Sequence, residues 1–100
     1  MEFITVKKDS NILITISGRL DTSSSDEFLR EMTPVLEGDE KSVEIDCTNL
    51  EYVSSQGLRI FLMLQKKVVA RQGQMTLVNL RPYIKEVFHI TGFTKIINII

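Results

Sequence analysis

The chain opens with two runs of β-branched and apolar residues, Phe3-Ile4-Thr5-Val6 and Ile12-Leu13-Ile14-Thr15-Ile16. Lys8-Asp9-Ser10-Asn11 separates them, and the combination predicts a β-hairpin. Gly18 breaks the second run. The apolar period then turns helical, with Phe28, Leu29, Met32, Val35 and Leu36 recurring on one face. Thr22 to Ser25 supply N-cap candidates, and Asp26 and Glu27 fall in the expected first turn, where the helix dipole favours acids. Pro34 sits inside this pattern and predicts a local distortion. Gly38 ends the helix.

Val43, Ile45 and Cys47 alternate with Glu44 and Asp46, which reads as a strand with one wetter face, followed by a short polar loop. A second helix is expected from about Ser55 to Arg71. Spacing at 100° per residue places Leu58, Phe61, Leu62, Leu64, Val68 and Val69 on a broad buried face. Gln56, Arg59, Met63, Lys66 and Lys67 fall opposite. Gly73 stops this helix, and Met75-Thr76-Leu77-Val78 forms the next strand. Pro82 can open a third helix that carries Ile84, Val87 and Phe88 inward to a stop at Gly92. Ile96 to Ile100 make a terminal strand or packed tail. Strands alternating with helices specify an α/β sandwich: a mixed sheet with helices packed mainly on one face.

A chain of 100 residues is one domain, 1–100, with enough length for a single core. Its only cysteine, Cys47, cannot close an internal disulfide and reads as a small buried residue in a reducing compartment. Lys66 and Lys67 interrupt the longest apolar stretch before it could cross a membrane. The N-terminus lacks the basic, apolar and cleavage regions of a secretory signal, so the expected location is cytoplasmic. Charge is unevenly spread. Residues 1–51 hold 12 acidic against 5 basic side chains, and residues 52–100 hold 1 against 7. Two readings stay open: mutual neutralisation once the halves interleave, or an acidic patch near the first helix that steers a basic partner. The scattered basic residues and few aromatics do not suit nucleic-acid binding.

The residues that could carry catalysis are sparse. His89 is the sole histidine, no cluster has metal-ligand spacing, and Gly57 and Gly73 stand apart rather than in a phosphate-cradling loop. Cys47 has no neighbour in sequence to activate its thiol. The chain therefore reads as non-enzymatic, needing neither cofactor nor metal. The informative chemistry is Ser54-Ser55-Gln56-Gly57, where two hydroxyls meet the start of a long helix. A serine there can cap orphan N–H groups, contributing about 1 kcal/mol. A phosphate there would add nearly two negative charges beside the positive end of the helix dipole.

The stretch from Asp46 to Leu58, acidic-x-x-x-Leu-x-aromatic-aliphatic-x-Ser-x-Gly-Leu, resembles the centre of the STAS domain, and in particular the bacterial anti-sigma factor antagonists of partner-switching pathways. Gly18-Arg19-Leu20-Asp21 resembles that family's turn before the first helix, and the run from Phe88 to Ile97 its C-terminal helix-to-strand passage. Antagonists of this type commonly carry Asp-Ser-[Ser/Thr]-Gly at the serine pair. Aligned on Gly57, Ser55 takes the phospho-acceptor position, Ser54 replaces the acid and Gln56 the second hydroxyl. Ser54 is thus the secondary candidate for phosphate. The resemblance implies a partner surface of Asp21, Thr22, Ser23, Ser54, Ser55, Gln56 and Gly57, with Arg59 and Met63 added from the polar side of the second helix. Gly18 and Gly57 read as backbone positions that shape the site.

The implied partners are an anti-sigma factor that doubles as an ATPase-type serine kinase, and a PP2C-type phosphatase. ATP and Mg²⁺ would belong to those partners. Unphosphorylated protein would bind the kinase, and phosphate on Ser55 would release it. The competing reading is a STAS accessory subunit of a transporter or signalling complex in which Ser55 only caps its helix.

Overall fold

The computed structural model describes all residues from Met1 to Ile100. Strands β1 (Glu2–Lys8) and β2 (Asn11–Leu20) form the hairpin, closed by Asp9 and Ser10 with Asp9 in the left-handed region at φ 56°. Helix α1 (Thr22–Glu37), strand β3 (Ser42–Val53), helix α2 (Ser55–Ala70), strand β4 (Gln74–Val78) and helix α3 (Pro82–Ile90) follow. A single 3₁₀ turn (Phe93–Lys95) leads into the two-residue strand β5 (Asn98–Ile99). The sheet order is β1-β2-β3-β4-β5, antiparallel at the hairpin and parallel elsewhere.

Register explains the one-sided core. Ile14 lies opposite Ile45, and Ile45 opposite Leu77, so the alternating apolar residues of three strands share one face. All three are fully buried. The helices cover that face, and a line of aromatic contacts records it. Phe3, Phe28, Phe61, Phe88 and Phe93 touch in sequence at centroid separations of 5.3–6.0 Å, joining β1, α1, α2, α3 and the 3₁₀ turn. Such offset and edge-on pairs add to the area they bury. The other face of the sheet carries no helix, and Ile4, Val6 and Leu13 stay exposed there.

Several local expectations need correction. The region after Asp46 is not a loop: β3 continues to Val53 as one twelve-residue strand. Register shifts in its pairing with β2, between Thr15 and Ser17 and between Gly18 and Arg19, break the two-residue alternation that would have revealed it. Gly18 does not end β2; it supplies φ 107° inside the strand at that irregularity. On α2, Val69 is 53% exposed while Ile60 is buried against the core, because α1 packs beside α2 and widens the covered arc. Helix α1 begins at Thr22 and runs on through Pro34 to Glu37, which puts Asp26 and Glu27 in its second turn.

At the C-terminal ends of α1 and α2, Arg71 closes the structure. Its guanidinium donates to the carbonyls of Val35, Gly38 and Glu40 at 2.7–2.9 Å. The Val35 and Gly38 carbonyls lie at the C-terminal end of α1, where i→i−4 partners run out. The buried Glu40 carboxylate pairs with Lys7 at 2.5 Å and with Arg71 at 3.9 Å. With that end tied down, the polar chemistry that remains accessible collects at the helix N-termini.

Candidate modification and partner-binding site

Strands β2 and β3 end side by side at Leu20 and Val53, and the Ser54 N–H donates to the Leu20 carbonyl at 2.8 Å. That bond fixes where both helices start. Asp21 is the N-cap of α1. Its Oδ1 accepts the Ser24 N–H at 3.0 Å, while the Ser24 hydroxyl accepts the Asp21 N–H at 2.9 Å, a reciprocal capping box. The Ser23 hydroxyl also donates to Asp21 at 2.9 Å. These bonds, led by the Ser24 amide, hold the Asp21 carboxyl below its ordinary range. The cap is therefore Asp21, and not one of the residues from Thr22 to Ser25.

The two serines of the motif have different jobs. Ser54 is the N-cap of α2: its backbone is extended, and its Oγ accepts the Gly57 N–H at 3.2 Å. It is only 8% exposed. The sequence reading makes Ser54 a partner contact and the secondary candidate for phosphate; in the structure its hydroxyl is buried and engaged in capping. Ser55 is the first residue of the helix and is exposed. Its hydroxyl has one long contact, to Gln56 Oε1 at 3.5 Å, and that same oxygen accepts the Thr22 hydroxyl at 3.5 Å. Gly57 is buried, and a Cβ there would stand 2.7 Å from Leu20 Cδ2 and 3.0 Å from Val53 Cγ2. The missing side chain lets α2 begin against the strand ends, so Gly57 shapes the site from beneath.

Thr22, Gln56, Arg59 and Met63 come together as the sequence suggested. Thr22, Asp26 and Leu29 of α1 face Gln56, Arg59 and Met63 of α2 across a groove of about 260 Å³. Ser23 lies outside this groove, turned to the Asp21 cap. Asp26 and Leu29 were not foreseen as site residues; their spacing to Thr22, four and seven residues on, would place all three on one helix face. Arg19 and Tyr52 were also missed. The Arg19 guanidinium stacks over the Tyr52 ring at 4.5 Å, on the strand ends two residues before each helix cap.

Both ion pairs in the structure involve Glu40. Asp26, Glu27, Glu31 and Glu37 of α1 have no cationic partner, nor do Arg59, Lys66 and Lys67 of α2 have an anionic one. The groove itself carries one acid, Asp26 from α1, and one base, Arg59 from α2. Elsewhere, burial pushes the Cys47 thiol up to about 12, which makes it inert at neutral pH. No three His, Cys, Asp or Glu side chains are grouped so as to hold a metal ion, and no helix is long and apolar enough to cross a membrane.

Fold and site define a small α/β module whose accessible polar chemistry is gathered where two helices begin. The STAS domain model matches residues 2–100, and the chain belongs to the STAS domain family, among its anti-sigma factor antagonists. It is 30% identical over 96 residues to BtrV of Bordetella bronchiseptica, named for anti-sigma factor antagonism, covering 96% of this chain and 83% of BtrV. It is also 30% identical over 97 residues to the anti-sigma-B factor antagonist of Bacillus subtilis, covering 96% of this chain and 88% of that protein. Among solved structures, an anti-sigma factor antagonist from Mycobacterium paratuberculosis superposes with TM-score 0.87 at 20% identity, over 98% of this chain and 83% of that one. Phosphorylated SpoIIAA of Bacillus gives 0.76 at 19% identity, over 99% and 91%. At these identities the structural matches speak for the fold.

Proposed function

We propose that this protein is a cytoplasmic, phosphorylation-controlled ligand of an anti-sigma factor, and that Ser55 is its switch. The observation that carries this reading is the division of labour between the serines. Because Ser54 caps α2, the Ser55 hydroxyl is exposed and structurally uncommitted. It can gain or lose a phosphate without removing any bond the fold needs. Unphosphorylated protein binds an anti-sigma factor that is also an ATPase-type serine kinase, releasing the regulated sigma factor. The kinase then transfers the γ-phosphoryl group of ATP to Ser55 Oγ, leaving ADP and a proton, and the complex separates. A PP2C-type phosphatase hydrolyses the phosphoserine and restores the binding form.

Energetics favours release over unfolding. A phosphate at a helix N-terminus in water is stabilised by the free amides, but burying that dianion in an interface carries a desolvation cost of several kcal/mol. Each 1.4 kcal/mol is about tenfold in affinity, so a single modification suffices for switching. Asp21, Thr22, Gln56, Arg59 and Met63 surround Ser55 as the contact surface, with Ser23 at its margin. Incubation with such a kinase and ATP, read by intact mass and fragment localisation, should place one phosphate on Ser55. The Ser55→Ala protein should accept none and stay bound. An unmodified wild-type protein in a stable complex would instead identify an accessory subunit.

A further inference from the structure

We infer that Arg59 is the intramolecular counter-ion of phosphorylated Ser55, so that modification withdraws a cation from the groove as well as placing an anion on its rim. The inference rests on Ser55 as the acceptor and concerns what the phosphate does once attached. Ser55 and Arg59 are four residues apart on α2, which sets their Cβ atoms about 5–6 Å apart on one helix face. Both are exposed, and no carboxylate lies within ion-pair distance of Arg59. Guanidinium presents a planar fork of donors that matches phosphate oxygens, so a short rotation of a free side chain is all the pairing needs.

The alternatives on the page are weaker. Lys66 and Lys67 lie about three turns further along the helix. Arg19 is held over Tyr52. Asp26, across the groove, competes for Arg59 with one negative charge, whereas the phosphate carries nearly two and is closer along the helix. Gln56 must also respond. Its Oε1 now accepts from both Ser55 and Thr22, and the phosphate removes the Ser55 donor. Turning the amide presents its NH₂ to the phosphate instead. Arg59 and Gln56 would then both face the modified residue, and the groove would lose its one base as a contact for a partner's carboxylate.

The test needs no kinase. Phosphoserine is installed at position 55 during translation by codon suppression, and its second ionisation is followed by ³¹P NMR at low salt. The expected value lies below the ordinary phosphoserine value of about 6. It should rise by about 0.2–0.4 of a pH unit in Arg59→Gln, and Arg59→Lys should fall between the two. Lys66→Gln, remote on the same helix, should leave it unchanged. Identical titrations for the wild type and Arg59→Gln would overturn the proposal and assign the phosphate to the helix amides alone. Failure of a kinase to modify Ser55 would refute the functional reading but leave this titration as it stands.

Discussion

Replacing each serine of the pair by alanine separates the cap from the switch. Ser54 accepts the Gly57 N–H and is 8% exposed, so Ser54→Ala leaves that buried amide without its side-chain acceptor. Loss of an N-cap hydroxyl costs about 1 kcal/mol, within a range of roughly 0.5–2. Solvent that cannot reach the Gly57 amide pushes the value towards the upper half of that range. For a domain of this size, 1 kcal/mol moves the Tm by about 4–8 °C. Ser55→Ala deletes only a 3.5 Å contact to Gln56 at an exposed helical position, and should change stability by less than about 0.5 kcal/mol. Circular dichroism melts of the two variants should therefore differ by several degrees, with Ser54→Ala the lower. Phosphate acceptance should show the opposite ranking, lost in Ser55→Ala and kept in folded Ser54→Ala. Equal melting temperatures, or phosphate retained by Ser55→Ala, would refute the division of labour.

Gly57→Ala sets two effects against each other: helix propensity gains at most about 1 kcal/mol, while overpacking costs about 1–3. The 2.7 Å approach to the fully buried Leu20 makes overpacking win, so denaturant melts should show net destabilisation; a stabilised variant would mean that the strand ends yield. Met63→Glu, at a site 39% exposed, should barely move the Tm but weaken binding to the anti-sigma factor in calorimetry; loss of folding would make it a core residue. Asp21 has a folded pKa below its ordinary value of 3.8, so the stability it confers is complete above that value and disappears as pH falls through the folded pKa. The stability gap between the wild type and Asp21→Ala should therefore be constant near neutrality and close in acid, and a gap that widened in acid would contradict the capping geometry. Ser54→Asp should melt within about 0.5 kcal/mol of the wild type, because aspartate and serine are equivalent N-caps; a large loss of stability would show that the pocket excludes a charge.

The chain announces its elements where a single rule dominates and conceals them where two rules compete. The three helices and strands β1 to β4 were visible from apolar runs and periodicity, whereas Ile96 to Ile100 were left open between a strand and a packed tail. The end of β3 was hidden because Thr48, Asn49 and Glu51 are polar, and the register shifts place Leu50 and Val53 inward at a spacing no regular strand has. Sequence offered Thr22 to Ser25 as caps, with Asp21 as part of the turn and cap before them, and the choice of Asp21 depends on where the chain leaves β2. The same ambiguity covered Ser54 and Ser55. Motif alignment picked the exposed serine, but only the extended backbone of Ser54 explains why its neighbour is free. The groove was half legible: α2 gave Gln56, Arg59 and Met63, while Asp26 and Leu29 needed the packing of α1 beside α2.

The resemblance implies an aspartate where this chain has Ser54, and what the position does accommodates either. Its structural task is to accept the Gly57 N–H, and either side chain performs it. Its electrostatic consequence differs. An aspartate would put a permanent negative charge next to Ser55, raising the cost of adding a second anion there. With serine, no permanent charge adjoins Ser55 in sequence, so on the proposed switch the phosphate would meet no anion at position 54. The Asp21 carboxylate is meanwhile held in the cap of α1 by the Ser23 hydroxyl and the Ser24 amide. On the proposed switch, a capped helix and an uncommitted hydroxyl would let Ser55 change its charge while Asp21, Ser54 and Gly57 keep the two helices in place.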